Sequence, residues 1–264
     1  MKIDTLPNSF EEMLAEIQLH GPTDTDYLRA HFHRFRGTVR QFLSHWSADR
    51  GTRILDIGAH WLHQAFMLSK SGFSITAGDF PATLGLVNVK ELAKALEIDL
   101  LIYHELHTGN AFESIEENSI DVVFFTEILE HITFNPVAFW KSIYRVLKPG
   151  GRIVLTTPNF YRKNGRAWEP RRFLSGFGSG IRTTEILQTL TYGHHWKEFS
   201  RKEVCHYFCS LSPDFNIHRA LLVDDHFIEP VSLFKKATSF VLPQLYVEID
   251  LVEKTSGVVI DPSW

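Results

Sequence analysis

Carboxylate and imidazole side chains cluster in the segment Glu127-Ile-Leu-Glu130-His131, directly after an apolar stretch of the chain. If a helical turn follows that stretch, Glu127, Glu130 and His131 stand at i, i+3 and i+4 on one face. Helices present carboxylate and imidazole ligands to one metal ion at this spacing. A second histidine would come from elsewhere, and the pair His194 and His195 supplies two, of which we favour His195. A divalent ion on these ligands would orient and acidify a substrate hydroxyl.

Metal-free chemistry is the alternative for the same residues. His131 would then act as the general base, since a neutral imidazole is the natural proton acceptor near neutral pH. Glu127, Glu130 and His195 would position the substrate hydroxyl directly. In another interpretation, His194 and His195 only close a lid over the site. The predicted catalytic residues are His131, Glu130 and Glu127 under either alternative.

Acidic residues end two neighbouring apolar stretches of the chain. Asp56 precedes Gly58 at the end of the first stretch, and Asp79 ends the second. In doubly wound sheets ligands lie at the carboxyl ends of the strands, where a glycine lets the backbone approach closely. A carboxylate after the second strand can accept hydrogen bonds from both ribose hydroxyls of a nucleoside. After the third strand, the side-chain amide of Asn110 could read an adenine edge.

From residue 53 onward, short apolar runs alternate with helical segments, which indicates right-handed βαβ crossovers and a parallel sheet. The run 119–125 is apolar at consecutive positions, as expected for a central strand buried on both faces. Strands are predicted at 53–57, 73–77, 100–104, 121–126, 152–156, 215–223 and 244–252, and helices at 9–20, 24–47, 61–71, 83–97, 136–147, 200–210 and 231–240.

These segments, in this order, resemble the class I S-adenosylmethionine-dependent methyltransferases over residues 50–160. The turn Leu147-Lys-Pro-Gly-Gly151 before a strand, with Glu130-His131 after the preceding strand, makes the resemblance specific. It implies an α/β fold with a doubly wound, Rossmann-like, seven-stranded sheet, mostly parallel with an antiparallel last strand.

The resemblance also implies S-adenosylmethionine as cofactor, with Asp79 on the ribose. The loop at Gly58 would pass under the methionine part, and Asn110 and Ala111 would border the adenine. The predicted cofactor-binding residues are Asp56, Gly58, Ala59, His60, Asp79, Phe80, Asn110, Ala111 and Thr126.

The chain departs from that family at the first turn. A second and often a third glycine usually follows Gly58, whereas here His60, Trp61 and Leu62 follow Ala59. Bulky side chains at this turn are expected to narrow the cofactor pocket.

Two methyltransferase branches have a motif similar to Glu127-x-x-Glu130-His131. The small-RNA 3′-terminal 2′-O-methyltransferases bind a divalent ion through two glutamates, the adjacent histidine and a distant histidine. The ubiquinone-pathway O-methyltransferases have a similar Glu-x-x-Glu-His. The resemblance implies Mg²⁺ or Mn²⁺ on Glu127, Glu130, His131 and His195, with the metal-free alternative left open.

We expect one domain over residues 1–264. It would comprise an N-terminal helical cap (1–48), a cofactor-binding core (49–157), a lid or substrate insertion (158–198) and the C-terminal part of the sheet (199–264). The basic lid segment 161–172 has five cations and two aromatic residues. It could hold a phosphate, a nucleotide or an acidic sugar by charge and stacking, or be a solvated loop. Tyr27 and Arg36 of the N-terminal helices are further candidates without assigned roles.

Composition restricts the class of protein. Of 264 residues, 44% are hydrophobic and 22% charged, which excludes global disorder. The net charge of −4 argues against broad nucleic-acid binding, although a local basic patch stays open. Full protonation of 14 histidines would carry this charge to +10. Two cysteines, an acidic N-terminus and the lack of a membrane-length apolar run predict a cytoplasmic protein without a membrane span.

Three functions are compatible with these residues. The first is an O-methyltransferase for a small or medium acceptor, such as a natural product, a sugar or glycolipid, or a quinone precursor. The second is an RNA 2′-O-methyltransferase, which the four-ligand pattern and basic lid favour but the acidic balance and lack of an RNA-binding appendage do not. The third is a non-catalytic module that binds a nucleoside or a protein partner. The oligomeric state is not predicted.

Overall fold

A seven-stranded sheet forms the centre of the computed structural model, which describes residues 5–168, 181, 183–227 and 239–263. The strand order is β3-β2-β1-β4-β5-β7-β6. The pairs from β3 through β5 are parallel, and β7 is antiparallel to both β5 and β6. The predicted fold class, including the antiparallel last strand, is therefore confirmed. The strands are β1 Arg53–Ile57, β2 Ser74–Asp79, β3 Asp99–Ile102, β4 Ile120–Thr126, β5 Leu147–Pro158, β6 Phe215–Val223 and β7 Gln244–Leu251.

Helices cover both faces of this sheet, so its central strand is apolar at consecutive positions. Val122 and Phe124 of β4 join a core with the N-terminal helices, and Val123 and Phe125 join a second core on the opposite face. The helices are α1 Phe10–Gln18, α2 Thr25–Leu43, α3 His63–Lys70, α4 Pro81–Leu84, α5 Val87–Ala95 and α6 Val137–Val146, followed by Thr183–Gln188 and Arg201–Leu211.

Helix α2 lies where the N-terminal cap was predicted, and it brings polar side chains toward the sheet. Asp24 caps its first turn by accepting a hydrogen bond from the backbone N–H of Tyr27. Its buried face includes Phe32, Phe35 and Phe42, which pack in the first core. Because the helix is amphipathic, residues beside this face stand next to the strand ends.

Several predicted boundaries differ from the structure. The helix predicted at 83–97 is broken, since Gly85 ends α4 and Leu86 is extended before α5 begins. The fifth strand begins earlier than predicted, at Leu147. The helix predicted at 231–240 and the lid residues Arg171 and Arg172 lie mostly or wholly outside the described residues. Within the described part of the chain, no helix is long and apolar enough to cross a membrane.

Candidate active site at the carboxyl ends of the central strands

The turn after β1 requires a glycine. Gly58 has a φ of +76°, and its N–H donates to the carbonyl of Gly78 over 2.8 Å. A Cβ at this position would lie 2.2 Å from Cδ1 of Ile128. Left-handed backbone and close approach together exclude other residues there. The turn therefore joins the ends of β1, β2 and the loop after β4.

Asp79, at the end of β2, holds this turn through both carboxylate oxygens. It accepts the backbone N–H of His60 over 2.7 Å and that of Phe80 over 2.6 Å. Burial raises the pKa of the Asp79 carboxyl, while the two N–H donors oppose that rise. A carboxylate has about four acceptor positions, so Asp79 can still accept further donors.

Asp56 and Thr126 are joined through one amide. The amide nitrogen of Gln64 lies 3.2 Å from Oδ1 of Asp56 and 3.2 Å from Oγ1 of Thr126. The second oxygen of Asp56 is buried and has no hydrogen-bond partner among the described residues. Burial raises the pKa of Asp56 to about 7. The ends of β1 and β4 thus contain a carboxyl with unused acceptor capacity.

Aromatic and imidazole rings from α2 and from the turn after β1 cover these strand ends. The ring of Tyr27 lies 4.6 Å from that of His60 and 4.5 Å from that of His31. The cavity between these rings, Asp56 and Thr126 has a volume of about 20 Å³. That is room for one water molecule. The narrowing expected from the bulky first turn is therefore present in the structure.

On the other side of Asp79, the ring of Phe80 contacts two tyrosines. Tyr103 lies 5.1 Å away between ring centroids, and Tyr192 of the lid lies 4.9 Å away. Asn110 begins a short 3-10 helix and is exposed, and Ala111 is half-buried. Phe80 is thus sandwiched between the sheet and the lid, and Asn110 stands at the surface.

Glu127 does not start a helical turn, so that prediction is wrong. Its φ is +56°, and the 3-10 helix begins only at Leu129. Its carboxylate turns to α2, where Oε2 lies 3.4 Å from a guanidinium nitrogen of Arg34. The other oxygen is buried without a hydrogen-bond partner among the described residues. Glu127 is accordingly directed to the roof over the cavity.

Glu130 is fully buried beside the end of β5. Thr157 donates a hydrogen bond to Oε2 over 2.8 Å, and Oε1 has no partner among the described residues. Burial and the negative charge of Glu127 raise the pKa of Glu130 well above its ordinary value. A cation would reverse this preference for the protonated form.

His131 is held in one tautomer by the lid. Its Nδ1 lies 2.9 Å from the carbonyl oxygen of His194, which can only accept, so Nδ1 carries the proton. Nε2 is therefore left with a lone pair. Burial and the neighbouring imidazole of His195 lower the pKa of His131 to about 4. The side chain is a neutral imidazole at pH 7 as a result.

Three of the four predicted metal ligands come together. One ligand atom each from Glu130, His131 and His195 lies within 4.8 Å of the others. The rings of His131 and His195 are 4.8 Å apart, and Nε2 of His131 is 3.9 Å from Oε1 of Glu130. Glu127 is not a member of this group. The segment of His195 is fixed to the loop after β4, because Trp196 N–H donates to the carbonyl of Glu130.

Sequence reasoning missed three contributors. Arg34 reaches Glu127 from α2, Thr157 supports Glu130, and the main-chain carbonyl of His194 orients His131. Arg34 could have been found from the sequence, because Tyr27, His31 and Arg34 are spaced to share one face of a helix. Arg36 instead donates to the carbonyl of Pro7 and stands outside the site.

Comparison with known proteins supports a methyltransferase core. Residues 55–155 match the family described as methyltransferase domain. Over 152 residues, the chain is 26% identical to a ubiquinone biosynthesis O-methyltransferase of Xanthomonas oryzae pv. oryzae, with 56% of each chain covered. A protein of the same name from Pseudomonas aeruginosa is 28% identical over 153 residues, covering 57% of this chain and 59% of that one. The chain thus aligns with little more than half the length of these relatives.

Solved structures share the fold over more of the chain. A SAM-dependent methyltransferase from Aquifex aeolicus has a TM-score of 0.53 at 15% identity, covering 90% of this chain and 98% of that one. One from Mesorhizobium loti has a TM-score of 0.55 at 16% identity, covering 84% and 97%. The match to the methyltransferase domain family and the named relatives confirm the predicted resemblance to class I S-adenosylmethionine-dependent methyltransferases, and the solved structures show that the fold is shared.

Proposed function

We propose that this protein is an S-adenosylmethionine-dependent O-methyltransferase acting on a small or medium hydroxylated acceptor. The observation that carries the proposal is the neutral His131, whose Nε2 lone pair is exposed by the hydrogen bond from Nδ1 to His194. It lies after β4, next to the strand ends where Asp79 and Gly58 form a nucleoside-binding turn. A base beside a cofactor site is the arrangement that alkylation of a hydroxyl needs.

The polar groups at the strand ends fit the cofactor. Asp79 retains acceptor positions for ribose hydroxyls, and Asp56 and Glu127 each have an unpartnered buried oxygen for donors. Arg34 offers a cation on the same side. When bound, S-adenosylmethionine supplies a methyl group activated by a sulfonium. The rings of Tyr27 and His60 must separate from their present contact to admit it, because the cavity between them holds only about 20 Å³.

His131 would handle the proton of the acceptor. In methyl transfer, the acceptor oxygen would bond to the methyl carbon as the bond from that carbon to sulfur breaks, and Nε2 of His131 would take the hydroxyl proton. Glu130 and His195 flank this nitrogen and would orient the hydroxyl. Because the imidazole is neutral at pH 7, it is ready to accept a proton without prior ionisation.

A divalent ion is the alternative use of the same group. Glu130, His131 and His195 would hold Mg²⁺ or Mn²⁺, and the unpartnered Oε1 of Glu130 supports such a ligand set. The ion would orient and acidify the acceptor hydroxyl. Nε2 of His131 has one lone pair, which can bind a metal or a proton but not both. The metal-assisted and the general-base mechanisms therefore exclude each other at this residue.

The similarity to ubiquinone biosynthesis O-methyltransferases favours a quinone precursor as acceptor. A natural product and a sugar or glycolipid were the other acceptors compatible with the sequence. All three provide the hydroxyl group that the chemistry requires, so the reaction class does not depend on the choice among them.

The test is calorimetric titration of S-adenosylhomocysteine into metal-stripped protein, repeated with excess Mn²⁺, followed by transfer of labelled methyl groups to hydroxylated acceptors. We expect binding in the micromolar range and label in an acceptor hydroxyl. Heat from Mn²⁺ alone that disappears in Glu130→Gln would select the metal-assisted mechanism. Methylation of an RNA 3′ end would select the RNA function instead. If S-adenosylhomocysteine does not bind under either condition, the chain is a binding module and the proposal fails.

A further inference from the structure

We propose that a cavity beside His195 binds the acceptor, and that the acceptor is an uncharged, hydroxyl-rich molecule such as a sugar; this rests on the proposed function. The cavity has a volume of about 340 Å³, sufficient for a sugar ring. It is formed by the lid, whose basic segment the reaction does not otherwise use. The side chains that carry the argument are Arg162, Asn164, Arg166, Glu185, His195 and Glu198.

The cavity adjoins the candidate catalytic group through two neighbouring residues. His194 and His195 both line the cavity; the carbonyl of His194 accepts a hydrogen bond from His131, and the ring of His195 is 4.8 Å from that of His131. Nδ1 of His195 lies 3.5 Å from Oε1 of Glu198 on the cavity side. The carbonyl of His195 also accepts from Arg166 over 2.6 Å. A molecule in the cavity would therefore contact His195, the direct neighbour of the imidazole that is proposed to receive the hydroxyl proton.

Positive and negative side chains in the cavity are balanced. Arg162 pairs with the buried Glu198 over 2.7 Å, and Arg166 pairs with Glu185 over 3.1 Å. Among the described residues, two guanidinium groups and two carboxylates thus face the cavity in ion pairs. An anionic ligand would have to displace a carboxylate from its guanidinium partner.

This lining selects a ligand with many paired donors and acceptors. Each sugar hydroxyl both donates and accepts, so it can satisfy a carboxylate and a guanidinium at the same time. Among the described residues that line the cavity there is no aliphatic side chain and no aromatic ring other than imidazole. An apolar ring or tail would desolvate these charged groups without replacing their hydrogen bonds, which is costly. The lining therefore favours a sugar over a quinone precursor.

The experiment compares two probes that share one ring. Methyl α-D-glucopyranoside and the corresponding methyl glucuronide differ by a single carboxylate, and catechol serves as the apolar acceptor. Binding of these probes and of the mannoside and rhamnoside analogues is followed by saturation-transfer NMR, with the protein in the presence of S-adenosylhomocysteine and diamagnetic Mg²⁺. We expect the neutral glycosides to bind more tightly than the glucuronide and catechol, and at least one to accept labelled methyl from S-adenosylmethionine.

The variant Glu185→Gln distinguishes neutral from anionic ligands, because it should change their binding affinities in opposite directions. Loss of this carboxylate should weaken neutral glycoside binding at least fivefold, whereas an anionic ligand would bind more tightly because Arg166 loses its negatively charged partner and keeps the carbonyl of His195. Glu116→Gln, at an exposed position outside the cavity, should change neither.

Failure of the sugar assignment can be distinguished from failure of the proposed methyl-transfer reaction. If catechol is methylated while every glycoside neither binds nor reacts, the sugar assignment is overturned and the methyltransferase stands. Tighter glucuronide binding in Glu185→Gln, with no glycoside binding, overturns it in favour of an anionic acceptor. If S-adenosylhomocysteine does not bind but glycosides do, the cavity assignment survives and the proposed reaction fails.

Discussion

His131 is the residue on which the proposed chemistry converges. Replacing it by alanine removes the Nε2 lone pair, whether that pair takes a proton or a metal ion. General-base catalysis contributes about 10²- to 10⁴-fold, so kcat/KM for methyl transfer should fall by roughly that factor. The affinity for S-adenosylhomocysteine should change less than twofold, because the proposed cofactor contacts lie at the ends of β1 and β2. His206→Ala, on the exposed face of the helix Arg201–Leu211, is the control. A decrease below tenfold would show that the proton leaves by another route.

Thr157 has a positioning role toward Glu130 that stability measurements can detect. Thr157→Val keeps the shape but leaves both oxygens of the buried Glu130 carboxyl without partners. The free energy of unfolding of metal-free protein should fall by about 1–3 kcal/mol. Thr157→Ser retains the hydroxyl and should recover Mn²⁺ binding, whereas valine should not. Equal Mn²⁺ affinity in the two variants would rule out this role.

The raised pKa of Asp56 predicts that the stability of the folded protein decreases as the pH rises. Its pKa is raised from 3.8 to about 7 in the folded protein, so the folded state binds the proton more tightly. The stability that this proton contributes is fully present below pH 4 and is lost as pH rises to about 7. Asp56→Asn removes this dependence, so its stability relative to wild type should rise from pH 4 to pH 7 by on the order of 4 kcal/mol and then stay level.

Urea denaturation at intervals of one pH unit would measure this difference. Asp49→Asn, at an exposed position near the start of β1, should show no such trend. A constant difference between Asp56→Asn and wild type across this range would mean that Asp56 is ionised in the folded state throughout.

At the scale of elements, the first turn controls access to the cofactor site. His60 has a φ of +49° and a ring 4.6 Å from Tyr27, so the residue is strained and obstructs the cavity. His60→Gly relieves the backbone strain and retains the N–H that Asp79 accepts. We expect S-adenosylhomocysteine to bind at least threefold more tightly in calorimetric titration.

His60→Ala is the matched control, since it removes the ring but keeps a Cβ at positive φ. Its affinity should lie between those of the wild type and the glycine variant. Weaker binding in both variants would show that the imidazole itself contacts the cofactor.

The sheet could be predicted from the sequence because each strand is specified by its own residues. Apolar runs such as that of β4 need burial on both faces, and Asp79 follows a strand at a set distance along the chain. The break between α4 and α5 was missed, since one glycine among helix-forming residues is a weak signal. The left-handed Glu127 was missed because a positive φ in glutamate has no sequence pattern.

The site could be predicted only where its members are close in the chain. Glu130 and His131 adjoin one another, so their pairing followed from the sequence. Arg34 and the carbonyl of His194 reach the site from 93 and 63 residues away, to Glu127 and His131 respectively. Whether these two groups reach the site depends on how α2 and the lid pack on the sheet. A main-chain carbonyl, moreover, is present at every residue and carries no signal of its own.

Across the whole molecule, the 14 histidines do not all become protonated in the same pH range. Burial lowers the pKa of His31 and His131 to about 4 and that of His63 to about 3, and it also lowers that of His60. The rings of His31, His63 and His131 therefore stay neutral in the folded protein at pH 5.5, where free histidine is mostly protonated. The net charge should rise from −4 to no more than +7 when the other 11 histidines are protonated, short of the +10 that full protonation would give.

Carbon–proton NMR of the imidazole rings between pH 8 and pH 5 would count the titrating histidines. At least three Cε1–H resonances should keep their neutral chemical shifts over this range, and the variant His63→Gln should remove one of them. Because the folded pKa of each of these rings is depressed, the stability they contribute is present above pH 6.5 and is lost as pH falls toward 4. Between pH 8 and pH 5, the three resonances should therefore shift only if the protein unfolds. Titration of all 14 rings in the folded protein would mean that the roof over the cofactor site is open to water.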